Sequence, residues 1–444
     1  MRASSSVTLS MIVPSWGSKA DPFLHQPYWE MYFATIIKKE MKERVSLVDI
    51  IDFRGREETS TDSMVKAVEQ RDLYFYWIFN TVNALETYEI AEALRKQYPT
   101  SIHVAGGTHV ELCQEEAKAI FDSVVVGPGE RSFLYAITDH IEGRRLAVYK
   151  DEWHEVPFSD TSYPERDFLP TERVINRSLF REYGNQLATM TYFSRGCIFK
   201  CAFCTLNTPS LLQTKDPKRI SQEIDYLKME YNVEAILLKD EIAIHPNSII
   251  STGILDAIGK SDIIWRGQTI TRNSYEQLKL ARDSGCKELA VGVETVDENV
   301  MRNIGKQWQN KKQITQFIEN AKKLGIKVKI CLILGLPGEP HDIVEQSIRF
   351  IEENDVEYSN VSGLCPMPGS LMYKNKEKYG IKSVDHTWSN HAHLIYRFAD
   401  EEGDVGLPFE YDSNSLFSKG RTMSNIRTDI KDLQNWLREN GKSY

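Results

Sequence analysis

Hydrophobic positions along the chain fall into two alternating textures. Short runs rich in Val, Ile, Leu, Tyr and Phe are separated by longer stretches whose apolar residues recur at helical spacing. That alternation argues for parallel sheets in α/β domains. In the first part of the chain, Val7–Val13, Val45–Ile51, Leu73–Phe79, Ile102–Ala105 and Val124–Val126 predict strands, and Tyr28–Lys42 and Tyr88–Gln97 predict helices. The third strand is unusually aromatic. The fourth runs into Gly106-Gly107 and the fifth into Gly127-Pro128-Gly129. An open α/β sheet binds ligands in the crevice beyond the carboxyl ends of its strands, where these glycines lie.

Residues 151–187 have no clear period and many turn formers, and read as a connector. A second α/β segment follows. Its predicted strands are Leu187–Phe193, Ala235–Leu238, Ile263–Gln268, Leu289–Val293, Val328–Leu334 and Tyr358–Leu364, separated by helical runs such as Ile220–Glu230 and Lys311–Leu324. About six βα units predict a partial (β/α)6 barrel rather than the eight-unit form. The expected layout is a Rossmann-like domain over 1–150, the connector over 151–187, the partial barrel over 188–370, and a C-terminal α-rich cap over 371–444. The last helix, about Ile426–Asn440, is amphipathic and is expected to help cap the substrate.

Composition narrows the function classes. The 444 residues are 41% hydrophobic and 26% charged, which excludes a mainly disordered chain. A formal net charge of −9 gives no broad attraction to nucleic acid or to an anionic membrane. No apolar run reaches the roughly 18 residues of a membrane span, and the N-terminus lacks the apolar core of a signal peptide. A cytoplasmic protein without nucleic-acid or membrane partners is expected. The seven cysteines, an odd number with three closely spaced, do not read as a disulfide framework. A reducing compartment and a metal site fit better.

Those three cysteines form Cys197-Ile-Phe-Lys-Cys201-Ala-Phe-Cys204, just after a predicted strand and Ser194-Arg195-Gly196. A [4Fe–4S] cluster ordinarily takes four thiolates, one per iron. Three leave one iron open to a substrate or cofactor, which suggests the amino and carboxylate groups of S-adenosylmethionine (SAM). The competing reading is structural zinc. Zinc wants four ligands, usually in two pairs, and no second Cys/His pair lies nearby.

At this point the sequence resembles the radical SAM superfamily, and within it the branch with an N-terminal cobalamin-binding-type domain. The resemblance spans about residues 8–370. Phe203 sits where the family carries an aromatic residue near the SAM adenine. Lys239-Asp240-Glu241 ends the second barrel strand, where members often have acidic residues, and Gln268–Arg272 ends the third. Gly292-Val-Glu294-Thr295 is similar to the family's Gly-x-Glu-Ser/Thr strand end, and Gly335-Leu-Pro337-Gly-Glu339 to its Gly-Leu-Pro-Gly-Glu turn. Pro366-Met-Pro-Gly-Ser370 resembles the segment that closes the barrel. The resemblance implies metal ligation by Cys197, Cys201 and Cys204, and SAM binding by Phe203, Asp240, Glu241, Arg272, Glu294, Gly335 and Pro337. It also implies an electron donor such as flavodoxin or ferredoxin.

For the N-terminal domain, Gly106, Gly107, His109, Gly127, Gly129 and Glu130 match two loops of the cobalamin-binding type. They are the residues that would meet cobalamin if it binds. The family default is cobalamin-dependent C-methylation of a small natural-product or sugar-like molecule. Two features leave cobalamin open. The chain has no Asp-x-His-x-x-Gly motif for an axial histidine. Members that hold the nucleotide tail usually end the third strand with small residues, whereas Tyr74–Phe79 here is bulky enough to fill a groove. The alternative is cobalamin-free radical dehydration, dehydrogenation, epimerisation or rearrangement. An inactive, cluster-bearing sensor is a third possibility that the set of SAM motifs argues against.

Cys365, just past the sixth barrel strand, is a candidate hydrogen-atom donor, against a plain reading as a small buried hydrophobe. Cys331 and Cys286 read as core residues. In the tail, His386, Trp388, His391 and His393 are candidates for touching substrate.

Overall fold

The computed structural model describes residues 6–15, 21–56, 60–205, 211–391 and 406–443. The chain folds as two compact units that divide between Met190 and Thr191.

In the first unit, strands β1 (Val7–Val13), β2 (Val45–Asp52), β3 (Leu73–Trp77), β4 (Ile102–Gly106), β5 (Ser123–Val126) and β6 (Val148–Lys150) form a parallel sheet in the order β2-β1-β3-β4-β5-β6. Helices α1 (Tyr28–Glu40), α2 (Thr61–Val65), α3 (Ala84–Gln97), α4 (Thr108–Leu112), α5 (Gln114–Ile120) and α6 (Ser132–Glu142) intervene. β1 and β3 are near-continuous apolar runs with almost every residue buried, as a strand covered on both faces requires. The strand order reverses direction between β1 and β3, which makes their carboxyl ends the topological switch point. β3 ends at Trp77, two residues before the apolar run does, because Phe79 turns back to hydrogen-bond the Trp77 carbonyl at 3.1 Å. β6 has only three residues beside two arginines, too little pattern to read as a strand.

The strands of the second unit are β7 (Ala188–Thr191, across the unit boundary), β10 (Ala235–Leu238), β11 (Ile264–Thr269), β12 (Cys286–Glu294), β13 (Lys327–Leu334) and β14 (Tyr358–Gly363). They form a parallel sheet in the order β14-β13-β12-β11-β10-β7. A two-stranded ribbon, β8 (Ser194–Arg195) with β9 (Gln213–Thr214), follows β7. Helices α7 (Pro217–Tyr231), α8 (Ser248–Gly259), α9 (Tyr275–Asp283), α10 (Glu298–Asn303), α11 (Lys311–Lys323) and α12 (Ile343–Glu353) connect the strands. Several helix starts are capped by side chains. Asp216 caps α7 with Pro217 in its first turn, and Ser274 with Gln277 closes a capping box on α9.

Beyond the sheet lie a short helix α13 (Leu371–Lys374), an antiparallel ribbon of β15 (Ile381–Val384) with β16 (Phe409–Tyr411), and a terminal helix Met423–Glu439. That helix buries Ile426, Ile430, Leu433 and Leu437, a stripe at helical period. The C-terminal region is thus helical with an added ribbon. The ribbon was not legible, because its two short strands are far apart in sequence and each owes its conformation to the other.

Candidate active site

The cysteine loop leaves the first barrel strand through a carboxylate clamp. Asp240, at the end of β10, accepts the Phe193 N–H at 2.8 Å and the Ser194 hydroxyl at 2.8 Å. It is 2% exposed, and burial raises its carboxyl to about 7 against those stabilising hydrogen bonds. The loop itself is pinned in its middle. The Ala202 N–H donates to the Ile304 carbonyl at 2.8 Å, and the Ala202 carbonyl accepts the Met372 N–H at 2.9 Å. Ala202 and Phe203 belong to an apolar cluster with Val300, Ile304, Leu336 and Leu364, and Cys201 and Cys204 pack against it. Phe199 stacks on Trp308 with ring centroids 4.2 Å apart.

These contacts turn Cys197, Cys201 and Cys204 toward one cavity of about 220 Å³, at the carboxyl ends of the strands. Phe203, Glu241, Gln268, Gly292, Glu294, Lys306, Trp308 and Cys331 also line it. Burial pushes the Cys201 thiol up to about 11, with the Lys306 ammonium working the other way. Thiols held protonated in this way must release protons to bind metal, so ligation is pH-dependent. Among the described residues no three His, Cys, Asp or Glu side chains converge as one ion's ligands would. A cubane engages its three thiolates through three different irons and needs no such convergence.

Glu294 reaches the cavity by an irregular backbone. The β12–β13 register shifts between Gly292 and Glu294, and Glu294 has φ +65°. A bulge of this kind re-aims a side chain, at a backbone cost of order 1–3 kcal/mol. The carboxylate folds back over Gly292, where a methyl group would collide with it. Lys306 then clamps the arrangement, its Nζ lying 2.5 Å from the Gly292 carbonyl and 3.2 Å from Glu294 Oε1. Burial raises Glu241 to about 8, so it enters neutral pH largely protonated.

Two buried polar atoms on the cavity wall have no hydrogen-bond partner, Glu241 Oε2 and Trp308 Nε1. Buried polar atoms are nearly always paired, and two exceptions beside three cysteines on one cavity wall are explained by a ligand that enters it. One is an acceptor or acid and the other a donor, a set that suits the amino, hydroxyl and ring-nitrogen groups of SAM. With three thiols beside them, the residues fit both a [4Fe–4S] cluster and SAM.

The remaining sequence candidates are placed elsewhere. Arg272 is exposed on the turn after β11 and is not part of the cavity wall. Gly335 and Pro337 belong to a structural turn. Glu339 accepts the Gly335 N–H at 2.7 Å and pairs with Arg421 at 2.6 Å, while the Asn303 amide holds the Pro337 carbonyl at 2.9 Å. Cys365 is buried with its sulfur 3.4 Å from that of Met367, and the thiol that does face the cavity is Cys331, read from sequence as core. His386 stacks on Trp388, which packs edge-on against His391. His393 lies outside the described residues. Lys306 and Trp308 were missed, since neither stands in a motif and the loop after α10 brings both to the cavity.

In the first unit, His109 is fully buried, with Nε2 2.9 Å from the Tyr88 hydroxyl and Nδ1 3.2 Å from Thr81 Oγ1. Glu130 accepts the Tyr32 hydroxyl at 3.0 Å. Gly107 and Gly127 lie against backbone, of Ile78 and Asp151 respectively, and Gly106 and Gly129 lie against aromatic rings.

Residues 191–351 match the model of the radical SAM superfamily. The chain is 25% identical to an uncharacterized methyltransferase of Pyrococcus horikoshii, over 77% of this chain and 76% of that one. It is 24% identical to the bacteriochlorophyllide d C-8(2)-methyltransferase of Chlorobaculum tepidum, over 71% of each. Among solved structures, it resembles the radical SAM methyltransferase TsrM of Kitasatospora setae, solved with cobalamin and a [4Fe–4S] cluster bound. The TM-score is 0.71 at 15% identity, covering 99% of this chain and 90% of TsrM. It also resembles the cobalamin-dependent radical enzyme OxsB, with a TM-score of 0.61 at 15% identity, covering 98% of this chain and 67% of OxsB. No helix among the described residues is long and apolar enough to cross a membrane. A cysteine loop opening on a cavity at the strand ends and the family match over the barrel together make residues 191–351 a radical SAM domain, and the two-unit fold is the one shared with TsrM and OxsB.

Proposed function

We propose that the chain holds a [4Fe–4S] cluster on Cys197, Cys201 and Cys204, binds SAM in the adjoining cavity and abstracts hydrogen from an unactivated C–H bond of a small natural-product or sugar-like substrate. The observation that carries this reading is the convergence of the three cysteines, Glu241 and Trp308 on one cavity, with a polar atom of each of the last two unpartnered. When bound, the cluster and SAM supply one-electron cleavage to a 5′-deoxyadenosyl radical.

The chain's own residues orient and exclude. Glu241 and Trp308 offer hydrogen bonds to SAM, Phe203 supplies an apolar wall, and the Lys306–Glu294 clamp presents a fixed carboxylate beside them. An electron donor such as flavodoxin or ferredoxin in the cytoplasm completes the reading.

Two outcomes follow the abstraction. Methyl transfer is the activity in the names of several of the relatives, and C-methylation needs a methyl donor. Dehydration, dehydrogenation, epimerisation or rearrangement needs none. Anaerobic reconstitution with SAM, reductant and candidate substrates separates them. S-adenosylhomocysteine together with 5′-deoxyadenosine marks methylation, and 5′-deoxyadenosine alone marks the other outcomes. Retention of 5′-deoxyadenosine formation in Cys201→Ala would sink the whole reading.

A further inference from the structure

A Rossmann-like sheet offers ligands one crevice, beyond the carboxyl ends of the strands at the switch point. In the N-terminal unit that point lies between β1 and β3. α1 runs antiparallel to the strands, so its first turns reach this end of the sheet, as does the start of α6.

Aromatic rings fill this place. Phe33 of α1 stands 4.5 Å, centroid to centroid, from Trp77 at the end of β3, and 4.9 Å from Phe133 of α6. Trp77 and Phe133 are 5.9 Å apart, and Phe75 closes the group from below at 4.8 Å from Phe133. Trp29 adds a further ring 6.3 Å from Trp77. Phe33, Phe75 and Phe133 are at most 1% exposed and Trp77 is 9% exposed.

The glycines of the two ligand-type loops serve this packing. Gly106 is the cross-strand partner of Trp77, and a methyl group on it would stand 3.0 Å from Trp77 Cζ3. A methyl group on Gly129 would stand 3.1 Å from Phe33 Cζ and 3.1 Å from Trp77 Cζ3. Small residues that admit a ligand leave space over themselves, whereas the space over these two is taken by the chain's own rings. Interiors this closely packed do not open for a bulky heteroaromatic group without displacing side chains.

We propose that the N-terminal domain takes no corrinoid, because Phe33, Trp77 and Phe133 occupy the crevice that the nucleotide tail would enter. The domain is then a packed scaffold, and the enzyme's radical goes to a non-methylating outcome. That last step rests on the radical SAM reading above, while the closure of the crevice does not.

The test uses the full chain, reconstituted anaerobically and incubated with hydroxocobalamin in excess. After gel filtration, corrin absorbance, iron and sulfide in the protein peak are measured separately. The expected result is iron and sulfide without corrin absorbance, and a yield of 5′-deoxyadenosine unchanged by adding or omitting the corrinoid. Near-stoichiometric corrinoid in the protein peak would overturn the proposal, as would a 5′-deoxyadenosine yield that requires it. Absence of iron would count against the cluster reading and leave the corrinoid result readable.

Discussion

Replacing Lys306 with methionine removes the ammonium that holds Glu294 in its bulged conformation. Glu294 Oε1 lies 3.2 Å from Lys306 Nζ, with side-chain exposures of 12% and 4%. The variant keeps most of the apolar stem and leaves a largely buried carboxylate without its partner. Removing one member of a buried pair costs about 3–5 kcal/mol, and the partial exposure of Glu294 argues for the lower figure. The strained backbone at Glu294 loses its anchor in the same step. A loss of about 3 kcal/mol lowers the melting temperature of a unit this size by about 6–12 °C.

The assay is urea unfolding of the reduced apo-protein, followed by far-UV circular dichroism, for Lys306→Met, Glu294→Gln and the double variant. Because Glu294→Gln removes the charge that Lys306 neutralises, the double variant should recover about 1.5 kcal/mol or more relative to the sum of the singles. Equilibrium dialysis with SAM on the reconstituted proteins should show weaker binding for each single variant. Strict additivity within about 0.5 kcal/mol, or a Lys306→Met protein as stable as wild type, would refute the clamp.

Other outcomes follow from single groups. Glu241, raised to about 8 from an ordinary 4.5, keeps its proton in the folded chain where the unfolded chain has lost it. Its contribution to stability is therefore full below the ordinary value, falls as pH rises toward about 8 and is flat above. Glu241→Gln should flatten that slope in denaturation series across the window, and an unchanged slope would reject the assignment. Trp308→Phe keeps the stack on Phe199 and loses the indole N–H, so SAM should bind about 5-fold more weakly, roughly the worth of one hydrogen bond; identical dissociation constants would remove Trp308 from the site. His109→Ala should cost about 1–3 kcal/mol by removing the buried ring that pairs with the Tyr88 and Thr81 hydroxyls, with SAM binding unchanged by dialysis. Asp240→Ala should loosen the entry to the cysteine loop, read as lower iron retention after gel filtration at equal protein; full retention would mean that the clamp on Phe193 and Ser194 does not position the ligands.

The alternation of strand and helix periods was legible for most strands of the two parallel sheets. β1 and β10 begin and end where the apolar runs do, because a strand buried on both faces must be apolar throughout. The cysteine spacing was equally local, since the eight consecutive residues from Cys197 to Cys204 need no distant partner to suggest a cluster. What lay beyond reach were contacts between segments far apart in sequence. The family resemblance implies Arg272 as a SAM residue, yet it lies exposed on the turn after β11. Lys306 and Trp308 reach the cavity only because the loop after α10 returns over the cysteine loop. Asp240 and Glu241 are neighbours in sequence, but one side chain clamps the backbone at Phe193 while the other faces the cavity. The same holds for the aromatic strand Tyr74–Phe79. Its composition announced bulk, but only packing against α1 and α6 decides where that bulk goes. Local pattern specifies elements and nearby ligands because both depend on neighbours along the chain. Which side chains share a cavity, and which crevice is filled, depends on distances that only the folded arrangement of those elements sets.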